Sequence, residues 1–403
     1  MEIPRWQQAL FDRRNLGVKL DLVAVRAVHA ALGSPGREIP ALHVLGTNGK
    51  GSTAAMAAQA LTRRGRRVGL YTSPHLHRVG ERVRIAGVAL ADEALQGLCD
   101  RVLAAEQAGP RALTFFEVLT LAALLAFETG GVDAIVLEAG LGGRLDATRL
   151  GAGGPIVATL FTPIALDHMA YLGPTIAAIA AEKAAVMADG APALSAPQTE
   201  EAAAVLRATA DACGVTLRFV EPLGHAPLAG EHQRINAALA LAGAQVIAPE
   251  ATAADLEGVV WPGRLERHAS GGGALVFDVA HNPHGIAALV EHLRATPAGE
   301  RAVLFGCLAD KDGSGMVAEL ATLGCPLWLA PPPGGGLDVG ALAAAAGARV
   351  FAGLDDPELA AARGALLARG GELVVCGSHH VVGHVRGQVL AVAADARTLS
   401  DPR

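Results

Sequence analysis

The apolar residues of the chain fall into short runs of strand length, which alternate with longer Ala- and Leu-rich segments of helical length. Several of the short runs are almost continuously apolar, as is typical of strands covered on both faces. Alternating strands and helices predict parallel, doubly wound sheets. The strand candidates are Ala41–Leu45, Arg67–Tyr71, Asp133–Leu137, Ile156–Phe161, Ala191–Ser195, Val215–Phe219, Ala274–Val279, Ala302–Phe305, Pro326–Leu329 and Glu372–Cys376.

The length of the chain, 403 residues, exceeds that of one ordinary domain. The segment Ile247–Pro262 departs from the strand–helix alternation and is typical of a connection between domains. We therefore predict an α/β protein with a larger N-terminal domain over residues 1–260 and a smaller C-terminal domain over residues 261–403.

Composition narrows the functional classes. No apolar run is long enough to cross a bilayer, and the N-terminal residues lack the apolar core of a secretion signal. Five scattered cysteines without a CxxC pair argue against disulfides or a zinc site and favour a cytoplasmic location. The net charge is −6 with both signs interspersed, so we expect neither a membrane nor a nucleic acid as partner.

A glycine-rich turn, Gly46–Thr53, follows the first strand candidate and precedes a helical pattern. It resembles a P-loop, in which backbone N–H groups and a helix N-terminus bind phosphate while a lysine reaches the outer phosphates. Lys50 would be that lysine, and Ser52 or Thr53 would face a magnesium ion. The alternative is an ordinary turn with a solvated lysine. It is weakened because only four of the 33 Lys and Arg residues are lysines.

Two later runs place metal-binding residues after predicted strands. The run "VLEAGLGGRLDATRL" presents Glu138, at the end of a strand that we expect beside the P-loop strand, where a nucleotide-bound magnesium would be met. The run "TLFTPIALDHMAYLG" presents Asp167 and His168 after a strand that we expect beside the one ending in Glu138. Ordinary polar loops explain both runs equally well.

The run "AAIAAEKAAVM" places Glu182 and Lys183 on an otherwise apolar helix. A lysine there is costly unless it is paired or chemically altered, because burial lowers its pKa and frees the neutral amine. On the residues alone, a structural pair is favoured, either Glu182 with an arginine or Lys183 with a carboxylate.

Nine motifs occur in one order from about residue 15 to residue 385: "HVLGTNGKGST", "GLYTSPHLHRVGERVRI", "TFFEVLTLAAL", "VLEAGLGGRLDAT", "IALDHMAYLG", "IAAEKAAVM", "WPGRLE", "FDVAHNPHG" and "VVCGSHHVV". Together they resemble the folylpolyglutamate synthase family, whose bacterial members are often also dihydrofolate synthases. The family belongs to the Mur-ligase superfamily of ATP-dependent amide ligases. The resemblance implies an N-terminal P-loop domain with a doubly wound, mostly parallel sheet and a smaller C-terminal Rossmann-like domain.

The resemblance also implies ATP, two magnesium sites and a carbamylated lysine at Lys183. It assigns catalytic roles to Lys50, Lys183 and His168. A first magnesium ion would be bound by Ser73 and Glu138, with Ser52, and a second by His168. The residues matching ATP contacts are Thr47, Asn48, Gly49, Lys50, Gly51 and Ser52 at the phosphates, and Asn236, Arg264 and Asp278 across the cleft.

The acceptor substrate, a pteroate or folate, would contact three short segments. These are Asn15, Leu16 and Gly17; Thr114, Phe115, Phe116 and Glu117; and Gly143, Arg144 and Leu145. Two positions depart from the family pattern: Asn15 stands where an acid is common, and "CGSHHVV" carries a doubled histidine. The departure at Asn15 affects the expected preference for the pterin. Neither departure affects the expected chemistry at the phosphates.

Polar residues follow three strand candidates of the C-terminal domain, and we expect them at one edge of a parallel sheet. L-Glutamate would bind there, against residues that include His281 and Ser378. The residues are Asp278, His281 and Asn282 after one strand, Asp310 and Lys311 after another, and Ser378 and His379 after a third.

The implied reaction is ATP-dependent addition of L-glutamate to dihydropteroate, or to the glutamate tail of reduced folates, through an acyl phosphate. The expected partners are these small molecules, and the family resemblance suggests a monomer. One alternative is a Mur-type ligase acting on a cell-wall precursor or an amino-acid polymer. Two others are a P-loop kinase or NTPase and a non-catalytic nucleotide-binding protein.

Overall fold

A computed structural model describes residues 4–17, 19, 21–149 and 156–392. It confirms the predicted α/β class, with two separate sheets that follow one another along the chain. The ends of the two predicted domains, 1–3 and 393–403, lie outside the described residues. The strands of the first sheet are β1 Ala41–Leu45, β2 Val68–Tyr71, β3 Val83–Ile85, β4 Val88–Ala89, β5 Ala134–Glu138, β6 Ile156–Phe161, β7 Ala193–Ser195 and β8 Leu217–Phe219.

The first sheet has the order β4-β3-β2-β5-β1-β6-β7-β8 and is parallel except at β3 and β4. Strand β1 lies at its centre, and β1 and β5 are buried along their whole lengths. The prediction that β5 neighbours the P-loop strand is confirmed. The prediction that β6 lies beside β5 is wrong, because β1 lies between them. The loops after β5 and β6 therefore reach the P-loop from opposite sides.

The second sheet has the order β13-β12-β11-β14-β10-β9 and is parallel except at β9, which pairs antiparallel with β10. Because β11, β14 and β10 are consecutive neighbours, the residues that follow them meet at one edge of the sheet, as predicted. The strands are β9 Glu266–Ser270, β10 Gly273–Phe277, β11 Arg301–Phe305, β12 Leu327–Leu329, β13 Arg349–Val350 and β14 Glu372–Cys376.

Helices cover both sheets, and helix α3, which follows the glycine-rich turn, packs against α9. Among the described residues, no helix combines the length and apolar character needed to cross a bilayer. The helices are α1 Arg5–Asp12, α2 Val23–Ala31, α3 Lys50–Arg63, α4 Asp92–Ala105, α5 Phe115–Thr129, α6 Met169–Leu172, α7 Ile176–Ala184, α8 Glu200–Cys213, α9 His232–Ile247, α10 Pro283–Ala295, α11 Gly313–Ala321, α12 Val339–Ala346, α13 Pro357–Ala368 and α14 His379–Leu390. Short 3-10 helices span Arg13–Leu16, Val79–Arg82, Glu106–Ala108, Ala185–Asp189 and Ala253–Leu256.

Candidate active site

The glycine-rich turn between β1 and α3 requires glycine at two positions. Gly46 has φ 135° and Gly49 has φ 88°, both in the region that side chains disfavour. A Cβ atom on Gly46 would lie 1.9 Å from Oγ1 of Thr162, and one on Gly49 would lie 2.4 Å from Oδ1 of Asn236. The turn therefore packs directly against the strand end of β6 and against helix α9.

The hydrogen-bond donors of the turn are divided between the protein and the cleft. The N–H groups of Thr47 and Asn48 both donate to the carbonyl of Pro163, at 2.9 and 3.4 Å. Helix α3 begins at Lys50, and the first N–H groups of a helix have no intrahelical acceptor. The N–H groups that remain available to an anion are thus those of the first turn of α3. The Lys50 ammonium folds over the loop and donates to the carbonyls of Gly46 at 3.3 Å and Thr47 at 3.0 Å.

A cleft of about 1120 Å³ opens above this turn, between the two sheets. We call it the nucleotide cleft. Of the two hydroxyl candidates, Ser52 lines the cleft and Thr53 does not. The structure brings most of the candidate residues to this one cavity: Thr47, Asn48, Gly49, Lys50, Gly51, Ser52, Ser73, Glu138, His168, Lys183, Asn236, Arg264, Asp278 and His281.

Hard oxygen donors lie beside the first turn of α3. Oε2 of Glu138 accepts the N–H of Ser73 at 2.9 Å and lies 3.6 Å from the position of a Cβ atom on Gly51. Within the described part of the chain, no group of three His, Cys, Asp or Glu residues could hold a metal alone. The donor set of Ser52, Ser73 and Glu138 fits magnesium, an ion that keeps several ligands from water or phosphate.

Lys183 lies on α7 and is almost completely buried. Burial, together with the positive charge of Lys50, lowers the pKa of Lys183 to about 7. The predicted structural pair is present for its neighbour, since Glu182 accepts from Arg144 at 3.0 Å. Gly143 packs on the Lys183 backbone, where a Cβ atom would lie 3.1 Å from the lysine carbonyl oxygen. Gly143 and Arg144 therefore contact helix α7, at Lys183 and Glu182, and neither is among the residues that line the nucleotide cleft.

The opposite wall of the nucleotide cleft is organised by Asp278. Its Oδ2 accepts the N–H of Leu265 at 3.0 Å, and its Oδ1 accepts the N–H of Ala280 at 2.9 Å. These bonds fix the loop that carries Arg264, whose pKa is lowered by burial. Arg264 faces Gly51 of the P-loop, with Nη2 3.7 Å from the position of a Cβ atom there. The guanidinium of Arg264 is thus held opposite the glycine-rich turn.

Asp167 joins the two sheets, although the sequence pattern gave it no role beyond its place beside His168. The Lys311 ammonium donates to Oδ1 of Asp167 at 2.7 Å, and Asn282 donates to Oδ2 at 3.2 Å. Nε2 of His281 lies 3.7 Å from the same oxygen. Burial alone would raise the pKa of Asp167. The close contact with His281 and the charges of His168 and Lys311 outweigh burial and hold this pKa well below its usual range.

A second connection between the sheets involves the P-loop itself. The side-chain amides of Asn48 and Asn282 exchange hydrogen bonds at 3.1 and 3.0 Å. Asn48 also lies 2.8 Å from Nδ1 of His284. Asn282 caps α10 by accepting the N–H of Gly285 at 2.8 Å, so one side chain links a helix of the second sheet to the phosphate-binding turn. The sequence placed Asn282 at this edge without predicting its contact with Asn48.

A second cavity, of about 540 Å³, adjoins the nucleotide cleft at the C-terminal edge of the second sheet. Its walls include His168, His281, Lys311, Ser378 and His379. Oγ of Ser378 accepts the N–H of Val381 at 3.1 Å and caps α14. The rings of His281 and His379 lie 5.5 Å apart. Cationic and hydrogen-bonding groups thus surround a space suited to a small polar molecule.

A third cavity, of about 1110 Å³, lies on the other side of His168 and has an aromatic wall. The guanidinium groups of Arg14 and Arg82 lie 4.9 and 5.0 Å from the ring centre of Phe115. Asn15 and Leu16 are exposed and are not among the residues that line it. The candidate residues that line it are Gly17, Thr114, Phe115, Phe116, Glu117 and Leu145.

All four lysines of the chain line one of these cavities. Lys50 and Lys183 line the nucleotide cleft, Lys311 lines the second cavity and Lys19 lines the third. Lysine is therefore rare in this sequence and occurs only at residues that line the candidate site.

Comparison with known proteins identifies the class first. Residues 44–196 match the Mur ligase middle domain, and residues 263–379 match the glutamate ligase domain of Mur ligases. The two-sheet fold and its glycine-rich turn are thus those of a Mur ligase.

The chain is 35% identical to dihydrofolate synthase/folylpolyglutamate synthase of Bacillus subtilis, over 78% of this chain and 81% of that protein. It is 33% identical to the Escherichia coli enzyme of the same name over 94% of each chain. The chain belongs to the dihydrofolate synthase/folylpolyglutamate synthase family.

Solved structures support the same relationship. E. coli FolC in complex with DHPP and ADP superposes with a TM-score of 0.84 at 31% identity, covering 96% of this chain and 98% of that one. A bifunctional folylpolyglutamate synthase/dihydrofolate synthase with Mn, AMPPNP and L-glutamate bound superposes with the same TM-score at 32% identity and the same coverage.

Proposed function

We propose that this protein is an ATP-dependent ligase that joins L-glutamate to the carboxylate of dihydropteroate or of a reduced folate. One observation carries the proposal: His168 forms a wall of all three cavities. Three separate binding spaces therefore meet at one side chain, as a reaction among a nucleotide, an acid and an amine requires. Relatives solved with ADP and DHPP, and with AMPPNP and L-glutamate, support this assignment of substrates.

ATP would occupy the nucleotide cleft, with its phosphates at the first turn of α3. Lys50, the N–H groups of that turn and Arg264 would neutralise the negative charge that develops when the γ-phosphoryl group moves. Asp278 would hold the nucleotide from the far side of the cleft. Asn236 was expected there as well, but it packs against Gly49 and would hold the nucleotide from the side of the glycine-rich turn. The acceptor carboxylate attacks the γ-phosphorus, the bond to the β-phosphate oxygen breaks, and ADP leaves. The product is an acyl phosphate with a far better leaving group than the original carboxylate oxygen.

Divalent metal belongs to this chemistry, since related structures contain Mn with AMPPNP. Ser52, Ser73 and Glu138 would hold one ion and His168 a second. When bound, such ions act as Lewis acids on phosphoryl oxygens. The absence of a complete protein ligand set within the described residues supports an arrangement in which metal and nucleotide bind together.

Lys183 would carry a carbamate. A neutral amine attacks the carbon of CO₂ and loses a proton, and a lysine with a pKa of about 7 is largely neutral at slightly alkaline pH. The change converts a buried cation beside Lys50 into an anion with two oxygen acceptors. It would relieve the repulsion between the two lysines and provide a ligand or hydrogen-bond acceptor near the metals.

The acceptor substrate would occupy the third cavity. Its aromatic wall suits a planar pterin, and the cations Arg14, Lys19 and Arg82 suit the negative charges of a folate tail. The third cavity reaches the nucleotide cleft at Ser73 and His168, which line both. A carboxylate that extends from the third cavity would thus arrive where phosphoryl transfer occurs.

L-Glutamate would occupy the second cavity, where Lys311, Ser378 and His379 can bind its carboxylates. Its α-amine attacks the acyl carbon, phosphate leaves, and the nitrogen gives up a proton. Residues 1–260 and 261–403 would act as two lobes whose contacts, at Asp167 with Lys311 and Asn48 with Asn282, exclude water from the acyl phosphate. The monomeric state stays a prediction.

The experiment is ADP release with MgATP and L-glutamate, run with dihydropteroate and separately with tetrahydrofolate. We expect turnover with both, and a product heavier by one glutamate residue. Release of ADP at the full rate without glutamate would indicate a kinase or NTPase. Turnover only with a peptide-like acceptor would indicate another Mur-type ligase.

A further inference from the structure

A buried chain of three side chains runs beneath the third cavity. His43 lies in the middle of β1 and is completely buried, and its Nε2 lies 2.9 Å from Oγ1 of Thr148. The Thr148 hydroxyl donates to Oδ1 of Asp146 at 2.5 Å. Asp146 is itself one of the residues that line the third cavity. The interior of the first sheet is therefore connected by hydrogen bonds to a carboxylate at the acceptor site.

The donors around Asp146 show that the site is built for an ionised carboxylate. Oδ1 also accepts the N–H of Thr148 at 2.9 Å, and Oδ2 accepts the N–H of Leu141 at 2.8 Å. A proton on either oxygen would compete with a backbone donor that already points at it. Burial raises the pKa of Asp146, so these donors are needed to keep the group charged.

The same hydrogen bonds decide which nitrogen of His43 carries the proton. The Thr148 hydroxyl has one hydrogen, and it is used toward Asp146, so Oγ1 can only accept from His43. Nε2 of His43 must then be the protonated nitrogen. In the other tautomer the proton would sit on Nδ1, a buried atom for which the described residues offer no hydrogen-bond partner. A buried donor without an acceptor is costly.

We propose that His43 is a positioning residue for the acceptor substrate: through Thr148 it fixes the carboxylate of Asp146 as a hydrogen-bond acceptor for the N–H groups of the pteridine ring. This inference rests on the proposed function, because it assigns the third cavity to the acceptor. A reduced pteridine has several N–H donors and no positive charge, so an oriented carboxylate can select it by hydrogen bonding. His43 itself touches no substrate.

The competing explanation is that His43 only fills space in the core of the sheet. If His43 only fills space, its replacement should lower stability and change the KM values of all three substrates together. If it is a positioning residue, its replacement should change the KM of the acceptor substrate alone. Glutamine separates the two, because its side-chain N–H can reach the place of Nε2. Asparagine is the matched control, since its shorter amide reaches only the place of Nδ1.

The first test compares His43→Leu, His43→Asn and His43→Gln by steady-state kinetics of ADP release. We expect His43→Leu and His43→Asn to raise the KM for dihydropteroate about tenfold or more, as loss of a hydrogen bond that supports a charged group predicts. The KM values for ATP and glutamate and the kcat should change less than about twofold. His43→Gln should return the KM for dihydropteroate to within about threefold of the parent. Thr148→Val should behave as His43→Leu, and Thr148→Ser as the parent.

A second measurement needs no turnover. Long-range ¹H–¹⁵N correlation spectra of the ¹⁵N-histidine-labelled protein report the protonated nitrogen of each ring, and the His43→Gln spectrum assigns His43 by the signal that disappears. We expect the Nε2-protonated tautomer.

Three results would overturn the inference: an Nδ1-protonated or cationic His43, equal damage by glutamine and leucine, or equal increases in all three KM values. Failure of the unmodified protein to use any pteroate or folate would instead refute the proposed function, and the tautomer would still be measurable.

Discussion

The ammonium of Lys311 lies 2.7 Å from Oδ1 of Asp167, and this ion pair joins the edge of the second sheet to the loop that carries His168. Both side chains are nine-tenths buried, with 9% and 8% of their surfaces exposed. Removal of one partner from such a pair leaves an uncompensated buried charge. The pair lies between the second cavity and the nucleotide cleft, so its loss should affect the use of glutamate.

We expect Lys311→Met and Asp167→Asn each to lower kcat/KM for L-glutamate about tenfold or more. The double variant should lose little beyond either single change, with a coupling energy of about 1–3 kcal/mol. Asp310→Asn is the control, because Asp310 is half exposed and 3.7 Å from the same ammonium. Additive losses in the cycle would show that Lys311 and Asp167 act independently.

Alanine at Gly49 should abolish nucleotide binding by closing the turn. The new Cβ atom would lie 2.4 Å from Oδ1 of Asn236, at a residue with φ 88°. Gly65→Ala is the matched control, since Gly65 has φ 76° and no atom within 4 Å of the added carbon. We expect AMPPNP affinity, measured by calorimetry, to fall at least about tenfold for Gly49→Ala. Equal affinities of the two variants would contradict the close packing of the turn on α9.

Stability should depend on pH through Lys183. Its pKa is about 7 in the folded protein and near 10.5 when the chain is unfolded, so the unfolded state binds more protons between these values. The free energy of unfolding therefore gains a contribution as pH rises from 7. Below pH 7 both states are protonated, and the full cost of the buried charge is present.

We expect this contribution to be absent in Lys183→Met, which retains the length of the side chain without its amine. Urea unfolding at pH 7, 8 and 9 in CO₂-free buffer measures it as a difference between the two proteins. A parallel pH dependence of both would show that the amine is not buried as a cation at pH 7. Added ¹³C-bicarbonate should give a carbamate signal in the parent protein alone.

Lys50 should be required for phosphoryl transfer and not for folding. Lys50→Met removes the ammonium that folds over the turn, and kcat for ADP release should fall at least about 100-fold. Arg66→Met is the control, because Arg66 is an exposed cation just beyond the far end of α3. An unchanged melting temperature should accompany the loss of activity. Retained turnover would place the phosphates away from this turn.

The sequence predicted the interior of both sheets well, because short, almost continuously apolar runs such as Ala41–Leu45 and Glu372–Cys376 are typical of buried strands. All ten predicted strands are present, with bounds within two residues. The missed strands β3, β4, β9 and β13 lie at or next to sheet edges, and β3, β4 and β9 pair antiparallel. These strands have partly exposed residues along them, as in Glu266–Ser270, so they do not form apolar runs and the sequence pattern did not predict them.

Contacts between distant parts of the chain escaped the sequence. Asp167 meets Lys311 across 144 positions, and His43 meets Thr148 across 105 positions. Motif spacing describes only neighbours in the chain, so the Asp167 pair and the His43 hydrogen bond have no local signal. The position of Lys311 after a predicted strand placed it at the sheet edge, but it did not predict the contact with Asp167. In the same way, Asn15 and Leu16 match a family position, yet they are not among the residues that line the third cavity.

The placement of lysine has a practical consequence for protein chemistry. Acylating reagents that attack ε-amines meet no lysine on the arginine-rich exterior away from the three cavities, since positions 19, 50, 183 and 311 all border them. Immobilisation or dye labelling of lysines through succinimidyl esters would therefore modify residues that line these cavities. For the same reason, covalent footprinting of lysine can report which cavity a ligand occupies. A lysine that becomes protected from the reagent identifies the cavity that the ligand has filled.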